Sequence, residues 1–487
     1  MLSAPLRYIV AGILAIVSCI IGVAIVFQSP PMNEAATAIL LTTFLISTFF
    51  LFVRSLEPLQ SLPTMFVMFY FSFFYALPGA VQIASNSFTM GDVTYSPEVA
   101  VEGALIALTF LIAFLVGQSF VGRQHYDKSL AAIEQSERSP RVLAITLFMA
   151  IAILLGLICI ARFGPSALMK TRGDFGGEIE AAGLQGADFG LVLMLPRAMS
   201  VLALPLLFYA IARWRREKPA MNALIAWPIM ALMLPIFLLL NYPPALPRNW
   251  QFGVLLTFVF VFVRGWRPWL RIGLVCGMLL TMFSLFQWLN VLRHYDEAGA
   301  ISESIESPIE YLKHMDLDGY QTTMNTVIFT ELYDHAYGKQ IMAALLFPIP
   351  RAIWTDKGES SGPRVARNLG YRFTLISTPL PAEFFFDFSF AGVIVGGFIV
   401  GYLYRRMDYV CAAGIDFGRP NIQLIIIAII TGFTIFLMRG TLYAVANIFG
   451  PLAILAFLLL KAPAIARLIM PPSNKPGGTA SSSPQQP

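Results

Sequence analysis

RVLAITLFMAIAILLGLICIA, residues 141–161, decides the class of fold. After Arg141 no charged residue interrupts the run, and about 20 apolar residues rising 1.5 Å each are what a helix needs to cross a hydrocarbon core roughly 30 Å thick. Its apolar positions do not alternate with polar ones, so it is not a strand of an outer-membrane barrel. Similar runs recur in both directions. Length and breaker residues place spans near 8–27, 35–53, 61–84, 99–120, 141–161, 188–212, 222–241, 250–264, 270–290, 386–404, 421–438 and 441–460, so the expected fold is an all-α polytopic membrane protein of about twelve transmembrane helices. The eighth run is short for a full crossing.

Composition agrees. Residues A, V, I, L, M, F, W, Y and C make up 57% of the chain and charged residues 13%, against about 25% charged in a soluble protein. A soluble globule is excluded. Cys19, Cys159, Cys276 and Cys411 lie inside or at the edge of apolar runs and form no CxxC pair, so neither a disulfide framework nor a zinc site is expected. Arg7 precedes a long apolar run without a better cleavage site than its own continuation, which reads as a retained first span.

A net charge of +5 would invite a nucleic-acid partner in a soluble protein; here it records anchoring at the cytoplasmic face, and no nucleic acid is expected. More than half of the 33 Lys and Arg fall in alternate connections, including Arg54, Arg123, Arg213, Arg215, Arg216, Arg267, Arg405 and Lys461. The connections 28–34 and 85–98 hold none, which puts both termini in the cytoplasm. The chain then divides into spans one to nine (1–290), an extracytoplasmic catalytic loop (291–385), spans ten to twelve (386–470) and a Pro/Gly/Ser/Gln-rich disordered tail (471–487).

The remaining basic residues fall outside or in the outer half of spans. Arg197 sits about nine residues into a span, roughly 14 Å deep. An unpaired cation there costs about 2.5–3.5 kcal/mol, so either an acid such as Asp188 or Glu178 pairs with it or it serves a buried polar cavity. Arg248 lies in a short connection. The Gly-rich stretch 162–187, with Lys170, Arg172 and Asp174, is a mobile lid or a flexible connector. The 291–385 segment splits by charge: acids dominate from Asp296 to Asp334, while Lys339, Arg351, Lys357, Arg364, Arg367 and Arg372 dominate afterwards. Four arginines in that set favour bidentate grips on phosphate oxygens, unless the charges are merely those of a solvated loop.

Within the basic half, QIMAALLFPI (340–349) is apolar, too short to span and halted by Pro348 and Pro350. Such a segment lies in the interface or re-enters, and it would carry Arg351 and Trp354 to headgroup level. Just before it, Glu331, Asp334, His335 and Tyr337 put candidate general bases beside anion-binding groups. His294 and His314 are isolated loop histidines. HExxH and Walker A patterns do not occur, so HExxH-type metal chemistry and nucleotide chemistry lack support.

Phe347-Pro-Ile-Pro350-Arg351-Ala-Ile-Trp354-Thr-Asp356-Lys357 resembles the proline-arginine-tryptophan-lysine motif of Wzy-type O-antigen and oligosaccharide repeat-unit polymerases. Tyr337-Gly338 upstream matches the Tyr-Gly before the short apolar helix, and Pro381-Ala-Glu383-Phe-Phe-Phe-Asp387-Phe-Ser-Phe-Ala-Gly392 resembles the family's acidic-aromatic stretch. Two departures stand out: Ala382 replaces the Gly expected before the Glu, and Ser389 and Ala391 dilute the Phe-Gly pattern. The resemblance covers roughly residues 330–400. It implies a GT-C-type glycosyltransferase of polysaccharide biosynthesis in the bacterial inner membrane, with no metal or nucleotide cofactor. The implied substrate is an undecaprenyl-pyrophosphate-linked oligosaccharide taken from the bilayer, and a chain-length regulator is admitted as a further partner. An O-antigen ligase-like transferase and a flippase for the same lipid are the alternatives; a transporter would show two matching halves, which this sequence lacks.

Outside the cytoplasm there is no nucleotide sugar, so the energy for a new glycosidic bond must sit in the lipid pyrophosphate. Its leaving charge needs oriented arginines, for which Arg351 is the first candidate and Arg172, Arg248 and Arg372 the next. The acceptor hydroxyl needs a base: Glu383, with Asp334 and His335 as rivals, unless Glu383 only pairs with Arg372 or Arg351. Arg197, Lys357, Arg364, Arg367, Trp354 and Tyr337 complete the candidate substrate-binding set.

This topology is testable with an impermeant thiol reagent on intact spheroplasts. Ser302→Cys should be modified and Ser482→Cys protected; the opposite pattern would invert the orientation and remove 291–385 from the outer face.

Overall fold

The computed structural model describes residues 3–28, 31, 33–90, 93–138, 142–171, 174–175, 177, 179, 190–217, 220, 222–263, 267–285, 287–288, 306–349, 351, 353–374, 376–419 and 421–469. Among these the fold is all-helical, without a strand. Nine helices are long and apolar enough to cross a membrane: Pro5–Val26, Glu34–Leu56, Leu62–Ser85, Pro97–Ser119, Ala144–Phe163, Val192–Arg215, Pro268–Leu285, Leu380–Asp416 and Leu442–Lys461. Leu224–Leu240, Trp250–Phe262 and Ile422–Gly432 are apolar but shorter. Each expected span therefore coincides with an apolar helix, three of them below crossing length. The chain is a multi-pass membrane protein.

We number the helices α1 (Ala4–Val26), α2 (Glu34–Leu56), α3 (Leu62–Ser85), α4 (Pro97–Ser119), α5 (Gln124–Arg138), α6 (Val142–Phe163), α7 (Leu195–Glu217), α8 (Trp227–Leu240), α9 (Arg248–Phe262) and α10 (Pro268–Leu280). There follow α11 (Gly319–Tyr333), α12 (Lys339–Leu345), α13 (Ser361–Asn368), α14 (Leu380–Asp416), α15 (Ile422–Gly432), α16 (Thr434–Arg439) and α17 (Leu442–Ile469). Two hydrophobic cores form. One joins α2, α3, α4, α10, α11 and α14; the other joins α6, α7, α8 and α17, and α9 and α15 contribute to both. The tightest seam is α4 on α14, where Gly397 and Gly401, a GxxxG pair, lie on the backbone carbonyls of Phe110 and Phe114. Small residues at this spacing let apolar helices approach closely where lipid offers no hydrophobic gain.

Two features depart from expectation. The last long helix before the C-terminal spans begins at Leu380 and runs to Asp416, so Glu383 belongs to it and not to a preceding loop. Its helical dihedrals fail at Phe388 (φ −141°, ψ 23°) and Ser389 (φ 55°, ψ −152°). The second departure is α11, expected within an extracytoplasmic loop containing short helices but buried along most of its length. No charge lies between Gly319 and Thr330, and its polar groups find partners inside the bundle. Tyr320 donates to Ala100 O at 2.7 Å, Gln321 Nε2 to Met90 O at 2.7 Å, and the Asn325 Oδ1 accepts from Tyr95 at 2.7 Å and Tyr371 at 2.9 Å.

An ion pair fastens α11 to α16. At the end of α16, Arg439 Nε and Nη2 donate to Asp318 Oδ1 at 3.0 and 2.9 Å, and Ser377 Oγ donates to the same carboxylate. Asp318 is buried. Breaking a buried pair from one side costs about 3–5 kcal/mol. Asp318→Ala should therefore sharply lower the unfolding midpoint in a denaturant titration, and Asp318→Ala combined with Arg439→Gln should cost clearly less than the two single replacements added together.

Candidate functional site

The residues of the sequence motif assemble beside the break in α14. Between helical residues the carbonyl of Phe386 would bond the amide of residue 390, but the break intervenes and Ala336 N–H takes that carbonyl at 2.9 Å. The next residue, Asp387, is fully buried, and its carboxylate accepts from Gln340 N at 3.2 Å and Ile341 N at 2.8 Å. It therefore caps the first turn of α12, satisfying orphan donors and facing the positive end of the helix. Gly338 leads into that turn at φ 85°, and a Cβ there would sit 2.6 Å from Phe388 Cζ, so the position needs glycine on both counts.

At the other end of α12 a cation does the capping. Lys357 is buried, and its Nζ donates to Leu346 O at 3.2 Å, Phe347 O at 2.8 Å and Ile349 O at 2.8 Å. Three donors meet three carbonyls, so its ammonium is fully committed to the turn that follows α12. Arg351 Nη1 and Nη2 donate to Lys357 O and Gly358 O, both at 2.8 Å. A guanidinium carries five N–H groups. Two are used here, and Arg351 is exposed, so a planar edge remains for an anion.

Most of the other cations expected to grip a ligand are balanced internally. Lys339 pairs with Asp356 at 2.5 Å and Arg367 with Glu359. Arg364 lies over the rings of Phe329 and Phe386, 5.4 and 5.8 Å from their centroids. Arg372 is exposed. Arg197 is buried, 5.2 Å over the Phe175 ring, with Nε and Nη2 lacking a hydrogen-bond partner. It sits in the second core, apart from the Arg351 turn. Its expected partners Glu178 and Asp188, together with Arg172, lie outside the described residues, as does the side chain of Arg248.

Glu383 is buried at 1% exposure, one helical turn before Asp387. Its Oε1 accepts from the Ser361 hydroxyl and from Leu442 N at 3.1 Å. Neither Arg351 nor Arg372 pairs with it; a hydroxyl and an amide hold it instead. Beside it Ser360 and Thr441 hydroxyls meet at 2.5 Å. Glu383 thus stands where α13, α14 and α17 converge. Asp334, at φ 66°, is exposed and accepts from His335 N at 2.8 Å and from the Tyr337 hydroxyl at 3.1 Å. Those two donors, the His335 amide first, hold its carboxyl below the usual value, and the Asp334 carboxylate in turn holds the Tyr337 phenol above its own. His335 stands edge-on to Phe385, and its Nδ1 is buried without a partner.

An open groove of about 440 Å³ runs along this assembly, lined by Tyr337, Gly338, Lys339, Met342, Leu346, Ile349, Ile353 and Trp354. Among the described residues no cluster of His, Cys, Asp and Glu has the arrangement of a metal site. Sequence reasoning missed Asp387, Ser361 and Gln340, although Glu383 and Asp387 are spaced i, i+4 and must share a helix face. Gln340 is buried with both amide atoms unpartnered, directly behind Gly358.

Lys357→Met keeps the aliphatic stem but leaves the three carbonyls without their ammonium. Each unpaired buried polar group costs about 1–3 kcal/mol, so the variant should melt several degrees early in detergent, and Lys357→Arg should recover only part of the loss. No family model, curated protein or solved structure matches the chain.

Proposed function

We propose that the protein is an extracytoplasmic repeat-unit polymerase: a membrane glycosyltransferase that moves a glycan from undecaprenyl pyrophosphate onto the sugar of another lipid-linked unit at the outer face of a bacterial inner membrane. The observation that carries this is that one short stretch, 357–361, holds both an exposed arginine edge and a buried carboxylate. Arg351 is held by the Lys357 and Gly358 carbonyls with N–H groups to spare. Glu383 accepts from Ser361, three residues beyond Gly358.

Each group has a task in this reaction. The departing pyrophosphate accumulates negative charge and needs no proton. Arg351, already oriented by its two carbonyls, offers a planar pair of donors without reorganising. The acceptor hydroxyl must lose its proton as the new glycosidic bond forms. Glu383 is the base in this scheme, with Asp334 the weaker alternative because its two donors hold its carboxyl below the usual range. Lys357 and Asp387 touch neither substrate; they hold the turn and the helix that present Arg351.

The test uses purified protein in nanodiscs with a polyprenyl-pyrophosphate oligosaccharide. A ladder of products marks a polymerase, and a single transfer to a different acceptor marks a ligase. Arg351→Lys should lose roughly 100- to 1000-fold in turnover, the usual loss for one oriented donor, while still purifying as a folded protein. Glu383→Gln retains an amide oxygen for Ser361 and Leu442, so it should fold and bind donor normally yet fail to turn over. Near-normal polymer length from Arg351→Lys, or early melting of Glu383→Gln, would count against these roles. In cells, deletion should leave single-unit surface glycan; complete loss of glycan would point to a ligase or flippase.

A further inference from the structure

We infer that Arg197 is the seat of a carboxylate, carried by a ligand that reaches the second core from the Val192 end of its span. The seat rests on the geometry around Arg197 and not on the transferase proposal; only a sugar acid as the source of the carboxylate would join the two.

The first observation is a whole guanidinium edge without a partner. Arg197 is 4% exposed, and its Nε and Nη2 are both buried with no hydrogen-bond acceptor. Those two N–H groups share one edge of the planar group and point the same way, which is the fork that grips two oxygens of a single anion. Arginine keeps its charge at any ordinary pH, so the residue cannot escape the cost of burial by giving up a proton. The Phe175 ring, 5.2 Å away, compensates in part, but an aromatic face carries no net charge.

The second is what the surroundings lack. The core that receives Arg197, with Cys159, Leu168, Phe175 and Leu193, is apolar. Polar groups of the same helices are engaged with one another: Ser200 Oγ donates to Arg197 O at 2.7 Å, Asn241 Nδ2 to Ser200 Oγ at 2.8 Å, and Trp250 Nε1 to Asn241 Oδ1 at 3.0 Å. One positive charge and two free parallel donors are matched in full by one negative charge on two oxygens, which is a carboxylate. A phosphate monoester brings about −1.5 to −2 charges and three strong acceptor oxygens, and would leave both charge and oxygens unmatched. A pyrophosphate fits worse still, in keeping with its place on the exposed Arg351.

The third is position. A five-residue π-helical stretch, Gly190–Met194, runs into α7 just before Arg197, and such turns recur at functional sites. From the Val192 end of the span Arg197 lies roughly 8 Å in. At that end the Phe175 ring, 2% exposed, packs 5.5 Å from Phe163, the last residue of α6. An arriving carboxylate displaces this ring from the cation.

Thermal unfolding of the purified protein in detergent, at fixed ionic strength, tests the seat without any transfer assay. The probes are glucuronate against glucose, hexanoate against hexanol, and methyl phosphate. At least one carboxylate should raise the midpoint saturably while its neutral counterpart does not, and methyl phosphate should need at least about tenfold more because its extra charge and oxygens find no donors. A response to glucuronate alone makes the source a water-borne sugar acid; a response to hexanoate alone makes it an acyl chain from the bilayer. Arg197→Met removes the fork and fills its volume. Without ligand this variant should melt at or above the wild type, since a buried cation lacking a counter-charge weakens the fold that holds it, and it should answer neither carboxylate. Arg197→Lys should bind several-fold more weakly. An Arg197→Met protein that melts early or fails to fold would make Arg197 a structural partner of the chain's own acids and overturn the seat, as would silence from both carboxylates or an equal response to glucose or hexanol. Methyl phosphate binding as tightly as the better carboxylate would overturn the ligand class. A protein that makes no glycosidic bond yet passes these tests would uphold the seat and refute the transferase proposal, and a working polymerase that fails them would do the reverse.

Discussion

The break at Phe388 and Ser389 is the constraint on which the site depends. A non-glycine residue at φ 55° with ψ −152° costs of the order of 1–3 kcal/mol and persists only where surroundings enforce it. Here the enforcement is mutual. Interrupting α14 releases the Phe386 carbonyl to Ala336 and aims the Asp387 carboxylate at the first amides of α12. A helix of seven residues cannot sustain itself in isolation. Capped by Asp387 at one end and Lys357 at the other, α12 becomes rigid enough to carry the turn that presents Arg351.

The same region closes the seam between the two hydrophobic cores. Glu383 on α14 accepts from the backbone of Leu442 at the start of α17, Ser360 meets Thr441, and Arg439 reaches Asp318 at the start of α11. The short loop between α16 and α17 is therefore tied to α11, α13 and α14 by polar contacts, while the helices below pack through apolar side chains. A small relative shift of the two cores would be felt first at Glu383, Ser361 and Leu442.

The apolar runs made the membrane class legible because span length and the absence of charge are local properties. What lay beyond the sequence was pairing across long separations. Lys357, Lys339, Arg364 and Arg367 read as a free basic cluster, yet their partners are carbonyls of 346–349, Asp356, aromatic rings on α11 and α14, and Glu359. The helix α11 falls within the stretch assigned to the extracytoplasmic loop; the burial of its Gln321, Thr323 and Asn325 depends on Met90, Tyr75, Tyr95 and Tyr371, residues remote in the chain. The break in α14 carries no proline or glycine at Phe388 or Ser389, so no local signal marks it. Glu383 and Arg351, by contrast, were singled out beside a motif resemblance, and the fold sets Glu383 on Ser361 and Arg351 on the carbonyls of 357 and 358.

Neutralising the other cations concentrates the site's electrostatics. A cluster of free arginines would attract any polyanion and would be screened by salt at the surface. With Lys357 spent on carbonyls and Lys339 and Arg367 paired, the exposed guanidinium of Arg351 becomes the principal directional donor on the groove turn. Its two carbonyl contacts set the plane of the fork before any ligand arrives, so little rotamer entropy remains to be lost on binding. An arginine that braces its own loop differs from a lysine in that place, because a point charge reproduces the attraction but neither the plane nor the second edge.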